Sequence, residues 1–356
     1  MKLHAKISGL FKITTVAGVV SSLFLPLISL AKEPAISEVS LPGAPSLRGS
    51  AIVEHALWVT GSNNAVFVSF DEGHSWLDRS PDITQKSDFR DVEAFSNKHA
   101  IVMAVGSGEA SKLLETKDGG KNWSLLYQNV HEQGFFDSIA FWSEKVGLLM
   151  GDPVDGYYVV EKTEDGGKTW RRIAKAKLPK ILNQEAAFAA SGHTLIVGQN
   201  GKAYITTGGF SASVYVSDDF GESWQRQSVP IFDDTQTAGG YGLALNSNQQ
   251  LFVMGGDYQQ RPKSYTNLAM YDEGRWHVID ARNRGLRTAM SCQQNICLTT
   301  GKTGSDISFN HGHTWQPFDA SPDKKGDKGF YTVTGGQGIF LTAGAEGRVG
   351  VVRLKK

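Results

Sequence analysis

One eight-residue pattern recurs along the chain and dictates what it can fold into: Ser/Thr-x-Asp-x-Gly-x-x-Trp. It is met at Ser69, Asp71, Gly73 and Trp76, and again at Thr116, Asp118, Gly120 and Trp123. A third copy has Thr163, Asp165, Gly167 and Trp170, and a fourth has Ser217, Asp219, Gly221 and Trp224. Ser308, Asn310, Gly312 and Trp315 keep the pattern with Asn for Asp, and Tyr271 to Trp276 is a shortened relic. Successive Trp residues lie 47, 47, 54, 52 and 39 apart. Self-similarity at such a period marks one supersecondary unit used repeatedly, each burying its apolar faces against its neighbours.

The pattern has a local mechanism. Asp and Ser/Thr side chains bond backbone N–H groups within a turn. Gly accepts the positive φ that other residues resist, and Trp starts the next strand with a large ring to bury between units. Each copy is therefore a folded hairpin between two strands. Its acidic and hydroxyl groups resemble catalytic ones, but their presence in every unit assigns them to the scaffold. Gly makes up 40 of the 356 residues, as a chain of many short strands and tight turns requires. The uninterrupted apolar runs Leu57-Trp58-Val59 and Ala65-Val66-Phe67-Val68 read as strands buried on both faces.

The repeat resembles the Asp box of BNR-type repeats, which implies about four strands per unit. In the second unit these fall at 89–95, 100–106, 112–117 and 122–129. Inner strands are expected to begin near Arg48, Arg90, Asp137, Glu185, Tyr241, Arg287 and Tyr331. The last unit has room for three strands only, 331–336, 338–344 and 348–354, and Ile36 to Pro42 can supply the fourth. The expectation is an all-β, seven-bladed β-propeller over 36–354, closed by pairing of its two ends, which removes an open edge.

Antiparallel blades put the Asp boxes on one face and the inner-strand starts on the other. The second face also receives Gly151-Asp152-Pro153, Gly255-Gly256-Asp257-Tyr258 and the irregular stretches 200–212, 230–240, 257–266 and 320–329. Long loops on one side of a rigid scaffold carry function. The candidate partner-binding ring at the channel mouth is therefore Arg48, Arg90, Asp137, Glu185, Tyr241, Arg287 and Tyr331, with Asp152, Asp257 and Tyr258 beside it. Charges gathered at one axis are either paired internally or used to clamp a carboxylate or an acidic peptide end, which Arg does bidentately.

The N-terminus reads as a targeting segment. Lys2, Lys6 and Lys12 precede an uncharged stretch from Ile13 to Leu30, and Ser29 and Ala31 suit a cleavage site. The expected organisation is a signal peptide at 1–31 and one propeller domain at 32–356, released into the periplasm. An uncleaved N-terminal anchor facing the periplasm is the alternative. In an oxidising compartment Cys292 and Cys297, the only cysteines, form a disulfide across a short hairpin. The formal net charge is zero, which argues against a general nucleic-acid binder.

Asp-box propellers include sialidases, so one reading is a glycosidase using Arg48, Arg90 and Arg287 for the sugar carboxylate, with Tyr331 and Glu185 as reacting groups. The Arg-Ile-Pro signature of that family is missing, Leu47-Arg48-Gly49-Ser50 standing in the chain. The resemblance is closer to the photosystem II stability/assembly factor family and its bacterial exported relatives. It rests on Leu47-Arg48-Gly49, Phe89-Arg90-Asp91, Gly151-Asp152-Pro153, Ala187-Phe-Ala-Ala-Ser-Gly192 and Gly255-Gly-Asp-Tyr258, together with the Asp boxes. This resemblance implies a non-enzymatic assembly factor that needs no cofactor and binds a protein or peptide client, such as a membrane protein, through an Arg-rich surface. Gly301-Lys302-Thr303 and Gly167-Lys168-Thr169 imitate the end of a P-loop without its leading Gly. His311 and His313 sit in an Asp-box turn without a third ligand, so no metal site is expected.

Overall fold

The computed structural model describes Met1 and residues 34–263, 266–280, 285–320 and 329–354. The expected signal peptide, and parts of the stretches 257–266 and 320–329, lie outside the described residues. Those described form seven four-stranded antiparallel sheets, the blades of a propeller. Blade 1 runs Leu47–Val53, Ala56–Gly61, Val66–Ser69 and Leu77–Asp78 from the inside out. Blade 2 runs Asp88–Ala94, Ala100–Val105, Lys112–Thr116 and Ser124–Gln128, within two residues of the expected bounds. In blade 7, Ile36–Ser40 pairs antiparallel with Arg348–Arg353, so the two ends close the ring as expected.

The core is divided among the blade interfaces. Trp58, Val66 and Val68 of blade 1 pack with Phe89, Val102 and Leu114 of blade 2. Equivalent apolar clusters join each following pair, and the last joins Leu341 and Val351 of blade 7 to Leu47 and Leu57 of blade 1. This is why the strands are apolar on both faces: each blade lies between two others.

The Asp boxes fold as their residue types require. Ser69 Oγ accepts from Gly73 N at 2.7 Å, and Asp71 Oδ1 accepts from Ser75 N at 2.8 Å. Gly120 N and Asn122 N repeat these bonds to Thr116 Oγ1 and Asp118 Oδ1. The box Trp residues are anchored by their indole N–H. Trp123 donates to Arg79 O in the preceding blade, whereas Trp170, Trp224 and Trp315 donate to the box Gly three residues back. The relic at Tyr271–Trp276 has shrunk to a two-residue hairpin turn, Glu273-Gly274, with both residues at positive φ. Cys292 and Cys297 form the disulfide, directly opposite one another in the hairpin of Ala289–Gln293 and Ile296–Gly301.

These turns predict an acid sensitivity. Hydrogen bonds from Ser75, Asn122 and Thr169 hold Asp71, Asp118 and Asp165 down to about 2. A carboxylate whose folded pKa is depressed stabilises the fold above its unfolded value, near 4, and loses that contribution as pH falls toward 2. Melting temperature should therefore fall across this window. The triple variant Asp71→Asn, Asp118→Asn, Asp165→Asn should show a flatter dependence, because Asn cannot titrate. Asn310 already holds such a turn, accepting from Thr314 N at 2.9 Å. Equal slopes for the two proteins would remove the Asp boxes as the acid-labile element.

Blade 4 departs from the expected register. Its inner strand is the short Leu195–Val197, ten residues beyond the expected start at Glu185. The stretch 200–212, expected to be irregular, contains the next strand, Ala203–Thr207. Residues 186–194 instead form a loop whose only β-bridge among the described residues is that of Ala186 to Gly208. The apolar run Ala187-Phe-Ala-Ala follows the expected start, but its three Ala side chains supply little apolar surface to hold a strand between sheets.

Candidate functional site at the channel mouth

Five inner strands carry a one-residue bulge near their start. The extra residue is Arg48, Arg90, Asp137, Tyr241 or Tyr331, between the register pairs Leu47/Gly49, Phe89/Asp91, Phe136/Ser138, Gly240/Gly242 and Phe330/Thr332. A bulge leaves one residue unpaired and re-aims its side chain. The neighbouring motif residues make this geometry possible. A Cβ on Gly151 would lie 2.4 Å from Phe135 O, just before the bulge of blade 3, so only Gly fits there. Asp91 Oδ2 accepts from Ser138 Oγ at 3.0 Å and Ile139 N at 2.9 Å, tying the bulged strands of blades 2 and 3 together.

The bulges surround a cavity of about 360 Å3. Its wall changes character around the axis. Arg48, Arg90 and Lys302, from blades 1, 2 and 6, form a cationic arc. Asp137 and Asp152 form an acidic wall on blade 3. Phe188, Tyr241 and Tyr258 form an aromatic side. Phe188 stacks on Tyr241 with ring centroids 4.3 Å apart and meets the edge of Tyr258 at 6.3 Å. Tyr331 supports the cationic arc: Arg48 lies 5.0 Å from its ring centroid and Lys302 5.1 Å.

The loop 186–194 closes one side of the mouth. Arg90 donates to Ala189 O at 2.8 Å and to Asp88 Oδ2 at 2.9 Å, and Arg48 donates to Ala190 O at 3.3 Å. Burial and then the Arg90 charge lower the pKa of Arg48. Burial, with the nearby charges of Arg48, Arg261 and Arg90, brings Lys302 down to about 8. Burial and the Asp152 charge push Asp137 well above the usual carboxylate range, although Arg90 opposes this. Burial also raises Asp152. The site thus places positive charge that an anion would relieve beside acids that resist ionisation.

Four residues of the expected site do not line this cavity: Tyr331, which packs against Arg48 and Lys302, and Glu185, Arg287 and Asp257. Glu185 is buried inside blade 4, where it accepts from Thr207 Oγ1 at 2.6 Å, Leu182 N at 2.7 Å and Tyr215 OH at 3.1 Å. Arg287 is fully buried against Asp306, with Nε 3.1 Å from Oδ2, and donates to Thr303 Oγ1 at 2.8 Å. Asp257 accepts from Thr237 Oγ1 at 2.7 Å and Thr235 Oγ1 at 2.9 Å, which fixes the segment before blade 5. Lys302 and Phe188 line the cavity although sequence reasoning did not place them there.

Residues 82–207 match the family described as photosynthesis system II assembly factor YCF48, and residues 215–226 match the BNR/Asp-box repeat. The chain is a BNR/Asp-box propeller, and about a third of it is similar to the assembly factor family. Its fold is shared with a solved structure of YCF48 bound to D1 peptide. That likeness has a TM-score of 0.65 at 15% identity, over 90% of this chain and 97% of the other. YCF48 from Cyanidioschyzon merolae gives 0.64 at 16%, over 90% and 99%. A GH74 xyloglucanase from Xanthomonas campestris gives 0.62 at 14%, with 90% of this chain but 54% of the enzyme covered. Among curated proteins none matches the sequence. At these identities the structural likenesses speak to fold alone. The function of this propeller has to be argued from its own cavity.

Proposed function

We propose that this propeller is an exported, non-enzymatic binding protein. Its channel mouth holds a peptide segment of a client while an envelope or membrane complex is assembled. The observation that carries this reading is the cationic arc of Arg48, Arg90 and Lys302 facing an aromatic wall within one cavity. Such a site suits a carboxylate attached to an apolar side chain. The YCF48 structure with bound peptide supports a peptide as ligand. The Lys-flanked apolar segment at 1–31 supports export. A sialidase-type reaction finds less support, because two residues it needs, Arg287 and Glu185, are held in contacts within their own blades.

The test is capture of a client from envelope extracts by the wild-type protein and by Arg48→Ala/Arg90→Ala. Both side chains act at the mouth, and Arg90 pairs with a partly exposed acid, so melting should shift little. Losing two Arg contacts in a cavity should cost roughly 2 kcal/mol or more of binding, at least a thirtyfold loss. Unchanged capture would move the client surface away from the mouth. Turnover of a fluorogenic sialoside by the purified protein would revive the enzyme reading.

A further inference from the structure

Asp137 is the least explained group in the cavity. It is 1% exposed, yet its Oδ2 has no hydrogen-bond partner among the described residues. A carboxylate buried without a partner is costly, and Asp152 beside it adds a like charge. Arg90 cannot fully answer it, because that guanidinium is already engaged with Asp88 and Ala189 O. In the cationic arc, Arg48 Nε is likewise buried and without a partner. A simple anion would satisfy Arg48 but leave the buried Asp137 Oδ2 without a partner. A simple cation would do the reverse. A ligand bearing both charges satisfies both sides.

We infer that the mouth recognises a zwitterionic peptide segment. Its carboxylate is held by Arg48, Arg90 and Lys302, and an ammonium or guanidinium group a few residues away by Asp137 and Asp152. The aromatic side, Phe188 and Tyr258, takes an apolar side chain of the same segment. The inference rests on the peptide-binding reading above and adds the cation as the determinant of specificity. The carboxylate can come from a chain terminus or from an acidic side chain, since the chemistry at Arg48 is the same.

Pools of tetrapeptides carrying a neutral fluorophore at the N-terminus test this with the intact mature protein. One pool has a single Lys in the last three positions, uncharged residues elsewhere and a free C-terminal carboxylate. A second replaces Lys with norleucine, a third is amidated, and a fourth is amidated with Glu at the last position. The Lys pool should bind at least tenfold tighter than the norleucine pool and tenfold tighter than the amidated Lys pool. If the fourth pool regains the affinity, the carboxylate is read from a side chain; if not, from the terminus. Asp137→Asn, and independently Asp152→Asn, should reduce the preference for Lys over norleucine toward unity and keep the preference for acid over amide. Equal binding of the Lys and norleucine pools to the wild-type protein overturns the inference. If acid is still preferred to amide in that case, the peptide-binding reading stands. Equal or absent binding of all four pools overturns both. The wild-type comparison decides even if an Asp variant fails to fold.

Discussion

Arg287→Ala should lower stability by about 3–5 kcal/mol, the range for removing one partner of a buried ion pair. The Arg287 and Asp306 side chains are both 0% exposed. Removal of the guanidinium would take two N–H donors from Oδ2 of the Asp306 carboxylate in the interior of blade 6. It would also strip Thr303 of a donor and leave a cavity the size of a large side chain. The double variant Arg287→Met/Asp306→Leu should recover most of the loss, since an apolar pair of similar volume is near neutral in such a setting. Thermal melting of the two proteins is the measurement. If Arg287→Ala melts like the wild type, its charge is not structural, and Arg287 returns as a candidate for the ligand site. The contrast with Arg48→Ala/Arg90→Ala is the useful one. At the start of the inner strands, arginines divide into two that face the cavity and one that holds a blade.

That division could not be read from spacing. Superposing the repeats places one residue per blade at the mouth, and four of the five bulged positions do line it. Arg48, Arg90, Asp137 and Tyr241 line the cavity, and Tyr331 packs beneath it. Arg287 lies two residues before its strand, Ala289–Gln293, where no bulge turns it inward. Its partner Asp306 sits on the strand Gly304–Ser308, a cross-strand relation that a repeat pattern does not encode. Glu185 fails for a different reason. The weak inner strand of blade 4 slips to Leu195–Val197, and the freed loop crosses the mouth and brings Phe188 into it. Lys302 has a signal of another kind: Gly301-Lys302-Thr303 imitates a nucleotide motif, but its hairpin turn falls on the face that carries the long loops. The scaffold was more legible than the site because turn chemistry and strand patterning act within a few residues. Side-chain convergence depends on several blades at once.

Removal of Ile36 to Pro42 should destabilise the propeller more than any single change at the mouth. This strand pairs along its whole length with Arg348–Arg353, from Ile36 opposite Val352 to Ser40 opposite Arg348. Beyond it, Leu41 N donates to Gly347 O at 2.8 Å, and the Leu41 side chain is buried in the cluster between blades 7 and 1. Ile36 packs against the cluster between blades 6 and 7. Loss of the buried Leu41 side chain forfeits roughly 1.5–3 kcal/mol of apolar burial, and the partly buried Ile36 adds less. The Arg348–Glu38 pair, bonded through both carboxylate oxygens at 2.6 and 3.0 Å, is partly exposed and adds less. The larger consequence is a new outer edge: deletion moves the edge of blade 7 from the mostly exposed strand Ile36–Ser40 to the mostly buried, apolar Arg348–Arg353, a template for pairing with another chain. The truncated protein should melt at least 10 °C lower, given several kcal/mol lost from a domain of this size, and should aggregate on concentration. A synthetic peptide spanning 34–42, added in excess, should restore part of the melting temperature by re-adding the strand. A leader cut after Ala31 leaves this strand whole, so processing and closure are compatible in one chain. A truncated protein that stays monomeric and melts unchanged would mean that blade 7 is stable with three strands, and that end-to-end pairing is not what holds the ring shut.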